Sequence, residues 1–166
     1  MSYHCPFCGY WTLPDDPKEH HVKCSVCSWE NAPAIEYRDT HDFTPEALEE
    51  LFLSVKWSSG HYPEKLAAAM KNFETVFSAW DGDRLAGLIC AMDDGVMTAY
   101  VHYLLVRPEC QRRGIGKRLA ELVRERYRDY LRIVVVAYNS ELRFYEACGF
   151  TRAESASAMF ITSLWT

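Results

Sequence analysis

Apolar positions along the chain change period several times, and each change predicts an element. Ile35–Arg38 reads as a short strand. Thr44 followed by Pro45 is a helix-start signal, a side-chain cap and then a residue with no N–H to leave unsatisfied. Behind it, Leu48, Leu51, Phe52 and Val55 repeat at the i, i+3, i+4, i+7 spacing of one buried helix face. Trp57–Tyr62 breaks the pattern as a loop, and Pro63 opens a second helix with Leu66, Ala69, Met70 and Phe73 inward. Thr75–Trp80, Arg84–Met92 and Val96–Val106 are strand-like, and Asp-Gly-Asp and Asp-Asp-Gly turns between them predict antiparallel neighbours. A helix follows with Ile115, Leu119, Leu122, Val123 and Tyr127 on one side. Leu131–Ala137 is apolar apart from Arg132, which predicts a strand covered on both faces. Ser140–Cys148 reads as a short helix ending on Gly149, and Phe150–Arg152 with Ser157–Leu164 as a final strand pair. The order β-α-α-β-β-β-α-β-α-β-β predicts an α/β chain with a mixed sheet flanked by helices.

Composition adds that the core is well supplied, with 49% of the 166 residues apolar and 14% aromatic. A net charge of −5 argues against a dedicated nucleic-acid binder. The charge is uneven. Residues 107–132 hold nine Lys/Arg against four Asp/Glu, so the remainder of the chain is strongly acidic. A basic block of that kind suits an anionic ligand, or else a solvated helix face. The longest apolar run, Ile133–Tyr138, is too short to span a bilayer, and the N-terminal MSYHCPFCGYW lacks the apolar stretch of a signal peptide. With an odd cysteine count of seven, a reducing, cytoplasmic setting is expected.

Cys5 and Cys8 form one C-x2-C pair and Cys24 and Cys27 another, fifteen residues apart. Four thiolates at this spacing can surround zinc tetrahedrally, with no position left open for catalysis. A segment of this length buries too little surface to fold unaided, which gives a structural metal a clear purpose. Residues 1–31 are therefore expected to form a zinc-ribbon-like module, joined near Pro33 to a main domain over residues 34–166. Lys18 and Lys23 are the only Lys or Arg within residues 1–31, so nucleic-acid binding there is disfavoured and a protein partner is the expected alternative.

The turn at the centre of the basic block reads Gln111-Arg112-Arg113-Gly114-Ile115-Gly116-Lys117. A Walker loop does not fit, because Lys117 is followed by Arg118 and Gln111 stands where the first glycine belongs. A dinucleotide fingerprint would need a third glycine at Leu119. At a strand-to-helix junction, however, the first helical N–H groups lack internal acceptors, and glycines keep side chains out of their way. Such a turn can hold a phosphate-bearing ligand, with Arg112, Arg113 and Lys117 adding charge.

Three stretches in this order resemble the GNAT superfamily of acetyl-CoA-dependent N-acetyltransferases. They are Gln111–Gly116, matching the family's Q/R-x-x-G-x-G/A signature; Asn139 followed by Phe144-Tyr145-Glu146-Ala147-Cys148-Gly149-Phe150, close to its N…FYxxxGF block; and the strand Tyr100–Val106 leading into the turn. The likeness covers residues 34–166 and excludes the cysteine module. It implies a GNAT-like acyl-CoA N-acyltransferase fold, acetyl-CoA as cosubstrate, and a primary amine, small or protein-borne, as acceptor. It further implies that the glycine turn cradles the coenzyme diphosphate. The strand ending at Leu104, Leu105 and Val106 would splay from its neighbour and pair with the pantetheine arm. A homodimer is the assembly expected if the chain self-associates. A different class of reading, a coenzyme-A-sensing module that docks a partner without turnover, stands beside the enzyme.

Acetyl transfer needs the amine to lose a proton, the oxyanion to be stabilised and the leaving thiolate to be protonated. Tyr145 matches the family's thiolate-protonating tyrosine, beside the plainer reading of a core side chain. Regular alternation places His102, Leu104 and Val106 on one strand face and Tyr103 and Leu105 on the other. His102 stands four residues before the valine that ends the strand, where the resemblance implies the base, and imidazole accepts a proton near neutrality. Tyr100 would line the same proton path. Asn139 would bond the coenzyme arm or simply cap a helix. The resemblance points to the first two helices and their loop for the acceptor, which makes Trp57, His61 and Tyr62 candidates.

Overall fold

The computed structural model describes residues 35–164 and, before them, two short strands, β1 (Tyr3–His4) and β2 (Trp11–Thr12), paired antiparallel. Contacts divide the chain into two compact units, Met1–Ile35 and Glu36–Thr166. Cys5, Cys8, Cys24 and Cys27, and with them the expected zinc site, lie outside the described residues.

The second unit is built on a sheet of five strands in the order β3 (Glu36–Asp39), β4 (Thr75–Asp81), β5 (Arg84–Asp93), β6 (Thr98–Val106) and β7 (Arg132–Val135). Neighbours run antiparallel except β6 and β7, which are parallel. The sheet is therefore mixed, as the element order predicts.

Helices α1 (Pro45–Ser54) and α2 (Pro63–Asn72) cover one face. Thr44 caps α1 by accepting a hydrogen bond from the Ala47 N–H at 3.2 Å. The predicted apolar stripe turns inward, with Leu48, Leu51 and Phe52 wholly buried against Val76, Leu88, Cys90 and Leu105 of the sheet. Helix α3 (Ile115–Arg126) packs on the other side through Ile115, Leu119, Ala120 and Val123. Between β6 and α3, Arg107 is 2% exposed, and its Nε donates to the Leu85 carbonyl at 2.6 Å. A terminal nitrogen of the same guanidinium reaches Glu50 on α1 at 2.9 Å, joining that helix to the start of the glycine turn.

Two expectations are corrected. The apolar run at Leu131–Ala137 is not covered on both faces: β7 is four residues long and partly exposed, Leu131 is 83% exposed, and Val136 is exposed. Nor do Phe150–Arg152 and Ser157–Leu164 form strands; residues 151–164 are exposed throughout. Apolar, β-favouring residues such as Phe160 and Ile161 make a strand only where an edge pairs with them, and intrinsic preference alone does not supply that pairing. Beside β7 lies an open groove of about 830 Å³, lined in part by Tyr127, Leu131, Ile133 and Phe150.

Candidate functional site

The strand leading into the glycine turn is irregular at one place. Cys90 pairs with Tyr103 and Ala91 with Val101, which leaves His102 as an extra residue on β6 opposite no partner. An inserted residue of this kind kinks the strand and breaks the alternation of faces. The consequence is visible in the rings. His102 and Tyr103 lie 4.2 Å apart between centroids, and Phe73, just past α2, stacks on His102 at 5.7 Å and meets Tyr103 at 6.3 Å. His102 therefore joins Tyr103 on the α1/α2 side. Leu104 and Val106 pair with Ile89 and Gly87, on the opposite face. The regular alternation expected for His102, Leu104 and Val106 is corrected by this bulge.

The cluster extends in both directions along that side. Tyr100 approaches His102 at 5.8 Å, and Trp57 approaches Tyr103 at 5.8 Å with Phe52 behind both. The Trp57 backbone precedes a short 3-10 turn, Ser58–His61, held by the Trp57 N–H to the Phe52 carbonyl at 3.0 Å. Of the expected acceptor-side residues, Trp57 and Tyr100 thus reach His102 and its ring neighbours. His61 is exposed, and Tyr62 is exposed with the Lys65 ammonium 5.4 Å from its ring; neither enters the cluster. Burial holds the His102 imidazole below its ordinary pKa, so it stays neutral, and able to accept a proton, into mildly acidic pH.

β6 and β7 pair only from Thr98↔Arg132 to Val101↔Val135. Past the bulge, Leu104, Leu105 and Val106 keep their β5 partners, and among the described residues they pair with no strand on the β7 side. An extended ligand could meet the strand edge there, although the Val106 carbonyl already accepts from Gln111.

The chain then turns through a 3-10 segment (Pro108–Cys110) into α3. Gly114 is the N-cap residue, left-handed at φ 78°, and supplies no side-chain cap. The N–H groups of Ile115, Gly116 and Lys117 are the orphan donors of the first turn. A Cβ on Gly114 would meet nothing within 4 Å, so the approach to them is open. Gly116 has a different reason: a Cβ there would stand 3.2 Å from the Phe144 ring. Its missing side chain admits α4 (Leu142–Ala147), whose next residue is Tyr145.

The polar residues of the turn divide into two groups. Gln111 donates through Nε2 to the Val106 carbonyl at 3.1 Å, and Arg113 pairs with Asp81 at 2.7 Å; both brace the loop. Arg112, itself at φ 62°, and Lys117 are exposed beside the helix start. Asn139 opens the 3-10 turn before α4 and is exposed, and Tyr138 is the residue that caps that turn.

Tyr145 stands edge-on to Phe144 at 5.2 Å and to Phe150 at 5.7 Å. Burial, with smaller contributions from Glu141, Cys148 and Tyr100, pushes its phenol up to about 12. It is therefore protonated across the physiological range.

Sequence reasoning missed Phe73 and Tyr103, which wall His102, because the bulge that brings them together carries no glycine or proline to announce it. The mismatch shows only in the folded sheet, where Val101 and Leu105, four residues apart and both buried, pair to opposite faces of β5.

Comparison with known proteins places this geometry. Residues 39–159 match the family described as an acetyltransferase (GNAT) domain, and residues 3–47 match one described as cysteine-rich CPCC. GCN5-related N-acetyltransferase 3, chloroplastic, from Arabidopsis thaliana is 38% identical over 87 residues, 49% of this chain. The match spans 36% of that relative's length, so the chain corresponds to about a third of it. Among solved structures, an acetyltransferase described as putative from Deinococcus radiodurans superposes with a TM-score of 0.68 at 25% identity, covering 78% of this chain and 88% of the other. A GNAT family protein from Streptococcus pneumoniae does so at 0.66 and 24%, covering 78% and 99%. The five-strand mixed sheet, the glycine turn at the start of α3 and the match over most of the sequence agree, and the chain belongs to the GNAT acetyltransferase family.

Proposed function

We propose that this chain transfers an acetyl group from acetyl-CoA to the nitrogen of a primary amine, both substrates being held together on the enzyme. One relationship supports the reading: the uncapped N-terminus of α3 lies against α4, the helix that carries the protonated Tyr145 phenol, because Gly116 lets the Phe144 ring pack against the helix start.

The residues present suit acetyl-CoA. The N–H groups of Ile115, Gly116 and Lys117, with the Arg112 and Lys117 side chains, would hold its diphosphate. The β7-facing backbone of Leu104, Leu105 and Val106 would hold the pantetheine arm in the manner of an added strand, with Asn139 as a further hydrogen-bonding group. Gln111 and Arg113 keep the turn in shape. When bound, acetyl-CoA supplies the acetyl group as an activated thioester.

Tyr145 keeps a proton at its hydroxyl for the departing sulfur, and its raised pKa means it does not lose that proton to water beforehand. His102 receives the proton that the acceptor nitrogen must shed, directly or through a water on the Tyr100 side. Its depressed pKa keeps the imidazole in the accepting form at neutral pH. The rings around it would give the acceptor an apolar surface to rest on beside the imidazole.

For the first unit we propose one structural zinc held by Cys5, Cys8, Cys24 and Cys27. The cysteine-rich match over residues 3–47 supports it, as does the spacing of the two pairs. Its purpose would be to fold that unit and to present it to a protein partner.

The test is release of free thiol from acetyl-CoA in the presence of a panel of primary amines. Amine-dependent release with a matching gain of 42 mass units on the amine, about the mass of an added acetyl less a hydrogen, is the expected result. Binding of acetyl-CoA without release for any amine would leave only a sensing role.

A further inference from the structure

The acceptor can be narrowed from the chemistry around His102. Trp57, Phe73, Tyr100 and Tyr103 are half-buried and His102 is exposed, so this is a surface a ligand can reach; Phe52 alone among the cluster's rings is fully buried, beneath them. Adjacent centroids lie between 4.2 and 6.3 Å apart, which makes one continuous aromatic surface.

Its charge is as telling as its shape. Burial is the leading influence on Tyr100, His102 and Tyr103, and among the described residues no carboxylate or cation contributes to any of the three. Besides the Tyr100 and Tyr103 phenols and the His102 imidazole, a further polar group within it is Ser59. Its hydroxyl is buried and completes no hydrogen bond at this geometry, although it lies close enough to the Tyr103 phenol to lower that group slightly against the effect of burial.

Polycationic acceptors, such as polyamines, aminoglycosides or a lysine within a basic peptide, are bound through carboxylates that neutralise their several charges. Among the described residues this surface offers ring faces and edges, the Tyr100 and Tyr103 phenols and the Ser59 hydroxyl. Rings of this kind gain most from a flat aromatic partner, by offset stacking or edge contact. A site without carboxylates also disfavours the ammonium form, so a single amine on an apolar carrier enters closer to its reactive, neutral state.

We infer that the acceptor is a primary amine carried on an aromatic group, which lies on Trp57, Phe73 and Tyr103 with its nitrogen toward His102. This inference rests on the acetyl-transfer reading. In the reaction the amine nitrogen bonds to the acetyl carbon as the carbon–sulfur bond breaks. The nitrogen's proton goes to His102, and the sulfur takes one from Tyr145.

The experiment measures thiol release at saturating acetyl-CoA with tryptamine, 2-phenylethylamine, spermidine, kanamycin and a lysine-containing peptide. The two aromatic amines should exceed the other three in kcat/KM by about tenfold or more, a difference ring contacts can supply. Trp57→Ala and Phe73→Ala should each raise KM for tryptamine by about tenfold while the affinity for acetyl-CoA, read by calorimetry, stays within about twofold. Retained acetyl-CoA binding also reports that each variant is folded. A preference for spermidine, kanamycin or the peptide, or variants with unchanged KM for tryptamine, would overturn the inference while leaving acetyl transfer standing. Binding of acetyl-CoA with no thiol release for any of the five amines would overturn both.

Discussion

His102 and Tyr103 are consecutive on β6, yet their rings lie 4.2 Å apart on the same side of the sheet. On a regular strand they would point to opposite faces. The unpaired position of His102 between the Tyr103–Cys90 and Val101–Ala91 pairs removes that separation. It also coincides with the place where β6 parts from β7, so one irregularity aims the imidazole and opens the slot beside it.

A pH profile follows from the surroundings of His102. Burial lowers its pKa below the free value near 6.5, so kcat/KM should hold through neutral pH and fall on an acidic limb below that value. His102→Gln should remove the limb and reduce kcat/KM by about 10²-fold. The sign for stability is the same. The unfolded chain binds this proton more readily than the folded one, so the contribution is present above the unfolded pKa and is lost as pH falls through the folded one. Because the ring is exposed on one side, that stability effect should be small, and thermal melts at pH 7.5 and 5.5 would measure it.

Tyr145→Phe should lower kcat by about 10²-fold or more while leaving acetyl-CoA affinity nearly intact. With the phenol pushed up to about 12, no alkaline limb below pH 10 should be traceable to this residue. Steady-state rates from pH 6 to 10, beside calorimetric titration of the variant, check both points.

Gly116 and Phe144 form a pair whose roles can be separated. Gly116→Ala would set a Cβ 3.2 Å from the Phe144 ring and shift α4, which carries Tyr145. Turnover should fall by about tenfold, since a small displacement of a catalytic group costs that much. Adding Phe144→Leu should recover most of it. If the glycine served the ligand alone, the second substitution would restore nothing. Gly114→Ala differs, because its left-handed φ of 78° should cost about 1–2 kcal/mol of stability whatever its neighbour.

Metal analysis of reduced protein should find about one zinc per chain, lost on Cys5→Ser or Cys24→Ser. Chelation should unfold the cysteine-rich unit and leave the melting of the acetyltransferase unit in place. A stoichiometry near zero would remove zinc from the first unit.

Much of this arrangement was legible because local physics sufficed to encode it. Thr44-Pro45 and Pro63 mark helix starts by their own hydrogen-bonding capacity, and the Asp-Gly turns fix β4, β5 and β6 as neighbours. Gly114 and Gly116 announced a helix start open to a ligand, although only the packing of Phe144 explains the second. What stayed hidden depends on partners distant in sequence. The bulge at His102 is a mismatch between β5 and β6, and neither strand shows it alone. Phe73 reads as the last apolar residue of α2, and its place over His102 follows from how that helix ends on the sheet. The apolar tail read as strands because Met159, Phe160 and Ile161 suit one, but pairing is decided by an available edge.

A crystal structure with coenzyme A bound would test acetyl transfer at its root. The diphosphate oxygens should lie about 3 Å from the N–H groups of Ile115, Gly116 and Lys117, with the thiol beside the Tyr145 hydroxyl. A coenzyme bound away from the start of α3, or with its sulfur remote from Tyr145, would contradict the proposed reaction.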